Sequence, residues 1–133
     1  MLIFLVDDDH EDHEVFCLAV KEVEPSINCL VAKDGTEALQ VLSELVVLPN
    51  YIFLDINMPL MNGKEVLKRI KTDSTLKDIP VVMYSTSADG NDIHECLRLG
   101  ASDYLVKPAN FIRLVEGVKS ILFPKPHDKH SLN

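Results

Sequence analysis

A chain of 133 residues, 47% hydrophobic and 26% charged, is long enough to bury one core and short for a domain plus an independent output module. Its formal net charge of -8 argues against a sequence-independent grip on nucleic acid, which Lys and Arg supply by neutralising phosphates, so a protein or cation partner is expected. No apolar run approaches the ~20 residues that cross a bilayer, and the apolar opening passes straight into Asp7-Asp8-Asp9 without the basic start or cleavage site of a secretory signal.

Residues 2–6 are apolar and stop abruptly at acids, which reads as a buried first strand. Val15, Leu18, Ala19 and Val23 then recur at helical spacing, and Pro25 ends that helix. A second short apolar run, 27–31, precedes Asp34-Gly35-Thr36, which opens a helix carrying Ala38, Leu39, Leu42, Leu45 and Val46. Residues 51–54 form a third run, and Asn62-Gly63 opens the helix of Val66, Leu67 and Ile70. The fourth run, 80–84, is followed by a helix with Ile93, Cys96 and Leu97 that Gly100 closes. The fifth run, 102–106, leads to a helix with Ile112, Val115, Val118, Ile121 and Leu122. Strand and helix thus alternate five times, which predicts an α/β fold of the (βα)5 kind: a doubly wound parallel sheet of five strands, covered on both faces. Residues 1–122 are expected to form the domain. Residues 123–133, with Pro124 and Pro126 and no apolar periodicity, are expected to be an extended or disordered tail. Cys17, Cys29 and Cys96 are odd in number and lack any C-x-x-C pair, so buried reduced thiols in a cytoplasmic protein are expected.

Ligands of open parallel sheets bind beyond the carboxyl ends of the strands. The first run delivers Asp7, Asp8 and Asp9 to that edge, the third Asp55, the fourth Ser85, Thr86 and Ser87, and the fifth Lys107. Carboxylates held together repel one another until a cation joins them. An oxygen-only donor set favours Mg2+, with Mn2+ as the alternative. An aspartate beside such a cation can attack phosphorus to give an acyl phosphate, a step that needs positioning and charge neutralisation more than a general base. Taken singly, each piece has an ordinary explanation: acids favour a helix start, Lys107 a solvated surface, Ser85 to Ser87 a turn. Their arrival at the ends of successive strands is what points to one site.

These residues resemble the response-regulator receiver family of two-component signalling, in a stand-alone, chemotaxis-regulator-like form, from Leu2 to Leu122. Val6-Asp7-Asp8-Asp9 is similar to its acidic-pocket motif, and residues 55–63 follow its phosphorylation-site motif, D-x-x-M-P-x-M-x-G. Tyr104-Leu105-Val106-Lys107-Pro108 is similar to its closing lysine-proline motif. The resemblance implies a flavodoxin-like sheet with strand order 2-1-3-4-5 and phosphorylation on Asp55. It implies Mg2+ held directly by Asp8 and Asp55, by the backbone carbonyl of Asn57, and by Asp7 through water. Ser85 takes the place of the switch hydroxyl, with Thr86 as the neighbouring alternative, and Lys107 binds the phosphoryl group. Tyr104 fits either a switch aromatic that turns inward or an ordinary core tyrosine. Pro108 would follow a cis bond that aims Lys107 into the pocket.

The function so implied is a phosphoacceptor switch whose helix 4/strand 5 face changes for partner binding, and which catalyses only its own phosphorylation and dephosphorylation. A sensor histidine kinase or histidine phosphotransfer protein would supply the phosphoryl group to a cytoplasmic monomer or weak dimer that contacts neither membrane nor nucleic acid. The charged residues Asp92, Glu95, Arg98, Arg113 and Lys119 read as a solvated face without an assigned role. A Mg2+-dependent phosphohydrolase of the haloacid dehalogenase type also uses an aspartate nucleophile, but its D-x-D is broken here by Asn57. No Gly-rich phosphate loop supports a mononucleotide module, and a docking module that is never phosphorylated would require loss of a pocket residue.

Overall fold

The computed structural model describes residues 1–126. The chain runs β1 (Leu2–Val6), α1 (His10–Val23), β2 (Asn28–Ala32), α2 (Gly35–Glu44), β3 (Tyr51–Leu54), α3 (Gly63–Thr72), β4 (Val81–Ser85), α4 (Gly90–Arg98), β5 (Asp103–Val106) and α5 (Phe111–Leu122). All strand pairs are parallel and the order is β2-β1-β3-β4-β5, as the resemblance implies. Each helix starts on an Asp or Asn: Asp9, Asp34, Asn62, Asp89 and Asn110 accept hydrogen bonds from backbone N–H groups of the first turn. These caps satisfy donors that have no partner inside the helix.

Alternate residues of each strand feed two cores, which explains why the strands read as unbroken apolar runs. Ile3, Leu5, Phe53, Val82 and Tyr84 pack with Phe16 and Val20 of α1 and Leu114 and Val118 of α5. Phe4, Val6, Ile52, Leu54, Val81 and Met83 pack on the opposite face with Leu42, Val66, Ile70 and Cys96. Gly100, at φ 110, closes α4 in the left-handed region that a side chain resists.

Three strands begin one residue later than the apolar runs suggest. Ile27 is buried but its N–H turns back to Glu24, Pro80 has no N–H to pair, and Ser102 N–H donates to the carbonyl of Val81, the first residue of β4. The expectation of three reduced, buried thiols is corrected. Cys96 is free and buried, whereas the half-buried Cys17 of α1 and Cys29 of β2 are joined in a disulfide with their Cα atoms 5.9 Å apart. Packing of α1 beside the sheet edge creates that meeting, and linear spacing does not show it. Of the tail, Phe123 to Pro126 continue past α5 without regular structure, and the rest lies outside the described residues.

Candidate functional site

Register builds the site. Val6 pairs with Ala32 on one side and Leu54 on the other, so β1 and β3 end level. The ladder runs one step further: Asp7 N–H donates to the Ala32 carbonyl at 3.1 Å and Asp55 N–H to the Val6 carbonyl at 2.9 Å. Asp7 and Asp55 are therefore held on the sheet itself, fully buried and 6% exposed respectively, while Asp8 beside them is exposed. Each of Asp7, Asp8 and Asp55 offers a carboxylate oxygen, and these lie within 4.8 Å of one another. Asp9 is separated from them in role: it caps α1, accepting from Glu11 N–H at 2.9 Å. Asn57 lies two residues past Asp55 with its side chain exposed.

Lys107 closes the group from β5. Its N–H donates to the Ser85 carbonyl at 2.7 Å, and its ammonium lies 2.8 Å from Asp7, 3.5 Å from Asp55 and 2.7 Å from Asp12. The Lys107–Pro108 bond is trans, as are all described peptide bonds, which corrects the expected cis-proline. Trans is favoured by about 0.5–1 kcal/mol even before proline, and the long lysine stem reaches the carboxylates from that backbone. Asp12 was not singled out from the sequence, because its partner Lys107 stands 95 positions away.

Burial drives the Asp55 carboxyl up to about 6, helped by Asp7 and Asp8 and opposed by Lys107 and the Ile56 N–H. Burial also raises Asp7, against its contacts with Lys107 and the Asp9 N–H. Burial would depress Lys107, but its hydrogen bond to Asp12, its ion pair with Asp7 and the charge of Asp55 hold it above the ordinary lysine value. Asp7 Oδ2 is buried, meets Lys107 as an ion pair and finds no aligned hydrogen-bond donor. Crowded carboxylates, one with a bare oxygen and all without nitrogen or sulfur neighbours in the set, fit a hard divalent cation.

A carboxyl raised in the fold adds stability that is complete below its unfolded pKa of 3.8 and is lost as pH climbs to about 6. Asp7 acts in the same direction. Asp92 and Glu95, lowered by hydrogen bonds from Lys64, act oppositely, their contribution being lost as pH falls from the ordinary values of 3.8 and 4.5. In chelator, the urea midpoint is expected to fall between pH 4 and pH 6, and saturating Mg2+ is expected to offset much of the loss near neutrality. A midpoint that rises through this window would contradict the charge arrangement.

The loop from β4 to α4 is held by a chain of polar contacts. Ser85 is fully buried and its Oγ accepts from Ser87 N–H at 3.2 Å, whereas Thr86 is exposed. Tyr104, half-buried on β5, donates its hydroxyl to the Ser87 carbonyl at 2.8 Å. Ser87 Oγ donates to Asp92 at 2.7 Å, and Lys64 of α3 pairs with Asp92 at 2.7 Å and Glu95 at 2.5 Å. Two of the residues read as a solvated face, Asp92 and Glu95, are thus engaged with α3. Clefts of about 560 and 590 Å3 lie along α2 and include none of the clustered carboxylates or Lys107.

The model of the response regulator receiver domain matches residues 3–119. Over 85 residues, 62% of this chain, the sequence is 51% identical to a protein-glutamate methylesterase/protein-glutamine glutaminase of Bacillus licheniformis. The chain spans only 22% of that relative and 63% of a rice two-component response regulator, ORR6. It is 32% identical to the response regulator Rcp1 of Synechocystis over 127 residues, 90% of this chain and 86% of that one. The phosphorylated cyanobacterial phytochrome response regulator RcpA superposes with a TM-score of 0.83 at 37% identity, covering 90% of this chain and 89% of that one. The Mn(2+)-bound form of Rcp1 gives 0.79 at 32%, covering 90% of each chain.

Proposed function

We infer, because this chain belongs to the response regulator receiver domain family and is a phosphoacceptor switch of two-component signalling, that Asp55 takes the phosphoryl group and that Ser85, Lys107 and Tyr104 read it out. The observation that carries the assignment is the gathering of Asp7, Asp8 and Asp55 beneath the Lys107 ammonium at one sheet edge. Receiver domains bind divalent metal. Here Asp8, Asp55 and the Asn57 carbonyl would hold it directly and Asp7 through water, with Mg2+ proposed and Mn2+ as a substitute. When bound, the ion neutralises and orients the phosphoryl oxygens.

The chain's own residues supply the rest. Above pH 6 Asp55 is mainly ionised, and one of its oxygens attacks phosphorus as the bond from phosphorus to the donor breaks, giving an aspartyl phosphate. Its other oxygen is steadied by the Ile56 N–H at 2.8 Å. Lys107, 3.5 Å from Asp55, moves onto the new phosphoryl charge. Ser85, whose Oγ accepts from Ser87 N–H and so has its own proton to give, shifts to donate there as well, with Thr86 the less favoured donor because it is exposed. That exchange loosens the loop on which Tyr104 is anchored through Ser87, so the hydroxyl is free to turn inward and the α4 and β5 face changes shape.

Response regulators are phosphorylated by histidine kinases, and the proposed donor is a sensor histidine kinase or a histidine phosphotransfer protein. Residues 1–122 are proposed as the receiver, acting as a cytoplasmic monomer or weak dimer on a protein target. None of the described helices is long and apolar enough to cross a membrane. Beyond its own phosphorylation and dephosphorylation the domain is proposed to catalyse nothing. Beryllofluoride with Mg2+ is expected to move the NMR amide signals of Ser85, Ser87 and Tyr104 as well as those around Asp55. Changes confined to Asp7, Asp8 and Asp55 would show binding without a switch.

A further inference from the structure

Lys107 has three ammonium protons and three acidic neighbours, and the distances are unequal. Asp12 and Asp7 hold it at 2.7 and 2.8 Å, while Asp55 stands at 3.5 Å, outside good hydrogen-bond range. Asp12 belongs to α1, not to the sheet, and lies outside the set of carboxylates close enough to share a cation. Its side chain is 32% exposed and that of Lys107 only 12%. A phosphoryl group on Asp55 brings about two negative charges to the same ammonium. It must draw Lys107 away from an acid that already holds it.

We propose that Asp12 is a positioning residue that holds Lys107 back in the unphosphorylated form and so lowers the site's affinity for a phosphoryl group. This rests on the reading that Asp55 is the acceptor and Lys107 its phosphate ligand. Two effects act in the same direction: the carboxylate competes for the ammonium, and its charge repels the incoming dianion. Asp12→Asn keeps the shape and removes both. The α1 cap is unaffected, because Asp9 accepts from the backbone N–H groups of Glu11 and Asp12, which the substitution leaves in place.

The test is the affinity for beryllofluoride at saturating Mg2+, titrated by calorimetry or 19F NMR. Asp12→Asn is expected to bind about three- to five-fold more tightly, the range for a partly exposed ion pair, with the gain shrinking as salt is raised. Asp12→Glu, which keeps the charge, is expected to stay within about two-fold of the unsubstituted chain. Equal or weaker binding by Asp12→Asn would overturn the proposal, as would equal tightening by Asp12→Asn and Asp12→Glu, since charge would then not be the cause. If the unsubstituted chain bound no beryllofluoride, the acceptor reading itself would fail and this proposal with it.

Discussion

Asp55→Asn is expected to accept no phosphoryl group and yet, without metal, to be more stable than the unsubstituted chain by on the order of 2 kcal/mol above pH 7. The loss follows from chemistry: a carboxamide does not form the acyl phosphate that the carboxylate forms. The gain follows from burial. Asp55 is 6% exposed, faces Asp7 and Asp8, and has its carboxyl pushed up to about 6, so ionising it at neutral pH works against the fold. Asparagine has similar shape and can still accept the Ile56 N–H bond that Asp55 accepts at 2.8 Å. Urea unfolding at pH 8 in chelator measures the difference. Saturating Mg2+ is expected to reduce or reverse it, because the substitution removes a proposed cation ligand. A less stable variant in chelator would mean that the carboxylate is part of the scaffold and not a strained functional group.

Gly63→Ala is expected to cost about 3 kcal/mol of stability and to slow phosphorylation by roughly 100-fold. The first residue of α3 packs directly on the chain that leaves β3. A Cβ on Gly63 would stand 1.9 Å from the Asp55 carbonyl oxygen, 2.8 Å from its carbon and 2.9 Å from the Ile56 Cα. All three are backbone atoms, so no side chain can swing aside. Gly63 N–H also donates to the Ile56 carbonyl at 2.8 Å, which ties the helix start to the peptide beyond Asp55. Relief requires α3 to retreat or the Asp55 peptide to move, and the second displaces the carboxylate from Lys107. The motif's final glycine thus has a steric reason. Gly90, which also opens a helix but has nothing within 4 Å of its Cβ position, is the control. Gly90→Ala is expected to change stability by less than about 1 kcal/mol. Thermal unfolding and phosphorylation rates of the two variants measure the contrast.

The sheet and most of its edge chemistry were legible because parallel strands buried on both faces leave unbroken apolar runs. All their carboxyl ends also emerge on one side, which brings Asp7, Asp55, Ser85 and Lys107 to that edge. The strand order came only with the resemblance, since alternation does not say which strand neighbours which. What stayed hidden depends on how helices pack. Asp12 meets Lys107 only once α1 packs against α5, and Cys17 meets Cys29 only once α1 lies along β2. The Lys64 contacts with Asp92 and Glu95 likewise need α3 and α4 side by side. Periodicity marks which face of a helix is apolar, not which polar residue of a neighbouring helix it will reach. Asp9 shows the converse: adjacent to two clustered acids in sequence, it is assigned to the helix cap by the backbone, which bends at Asp8 before α1 starts.

This edge is proposed to accept phosphate covalently, on Asp55, with a divalent cation. Incubation with acetyl phosphate and Mg2+, followed by intact-mass measurement of the unsubstituted chain and of Asp55→Asn, decides the matter. One added phosphoryl group is expected on the unsubstituted chain, lost in chelator and absent from Asp55→Asn. A phosphoryl group retained by Asp55→Asn, or none on the unsubstituted chain although beryllofluoride binds, would contradict it.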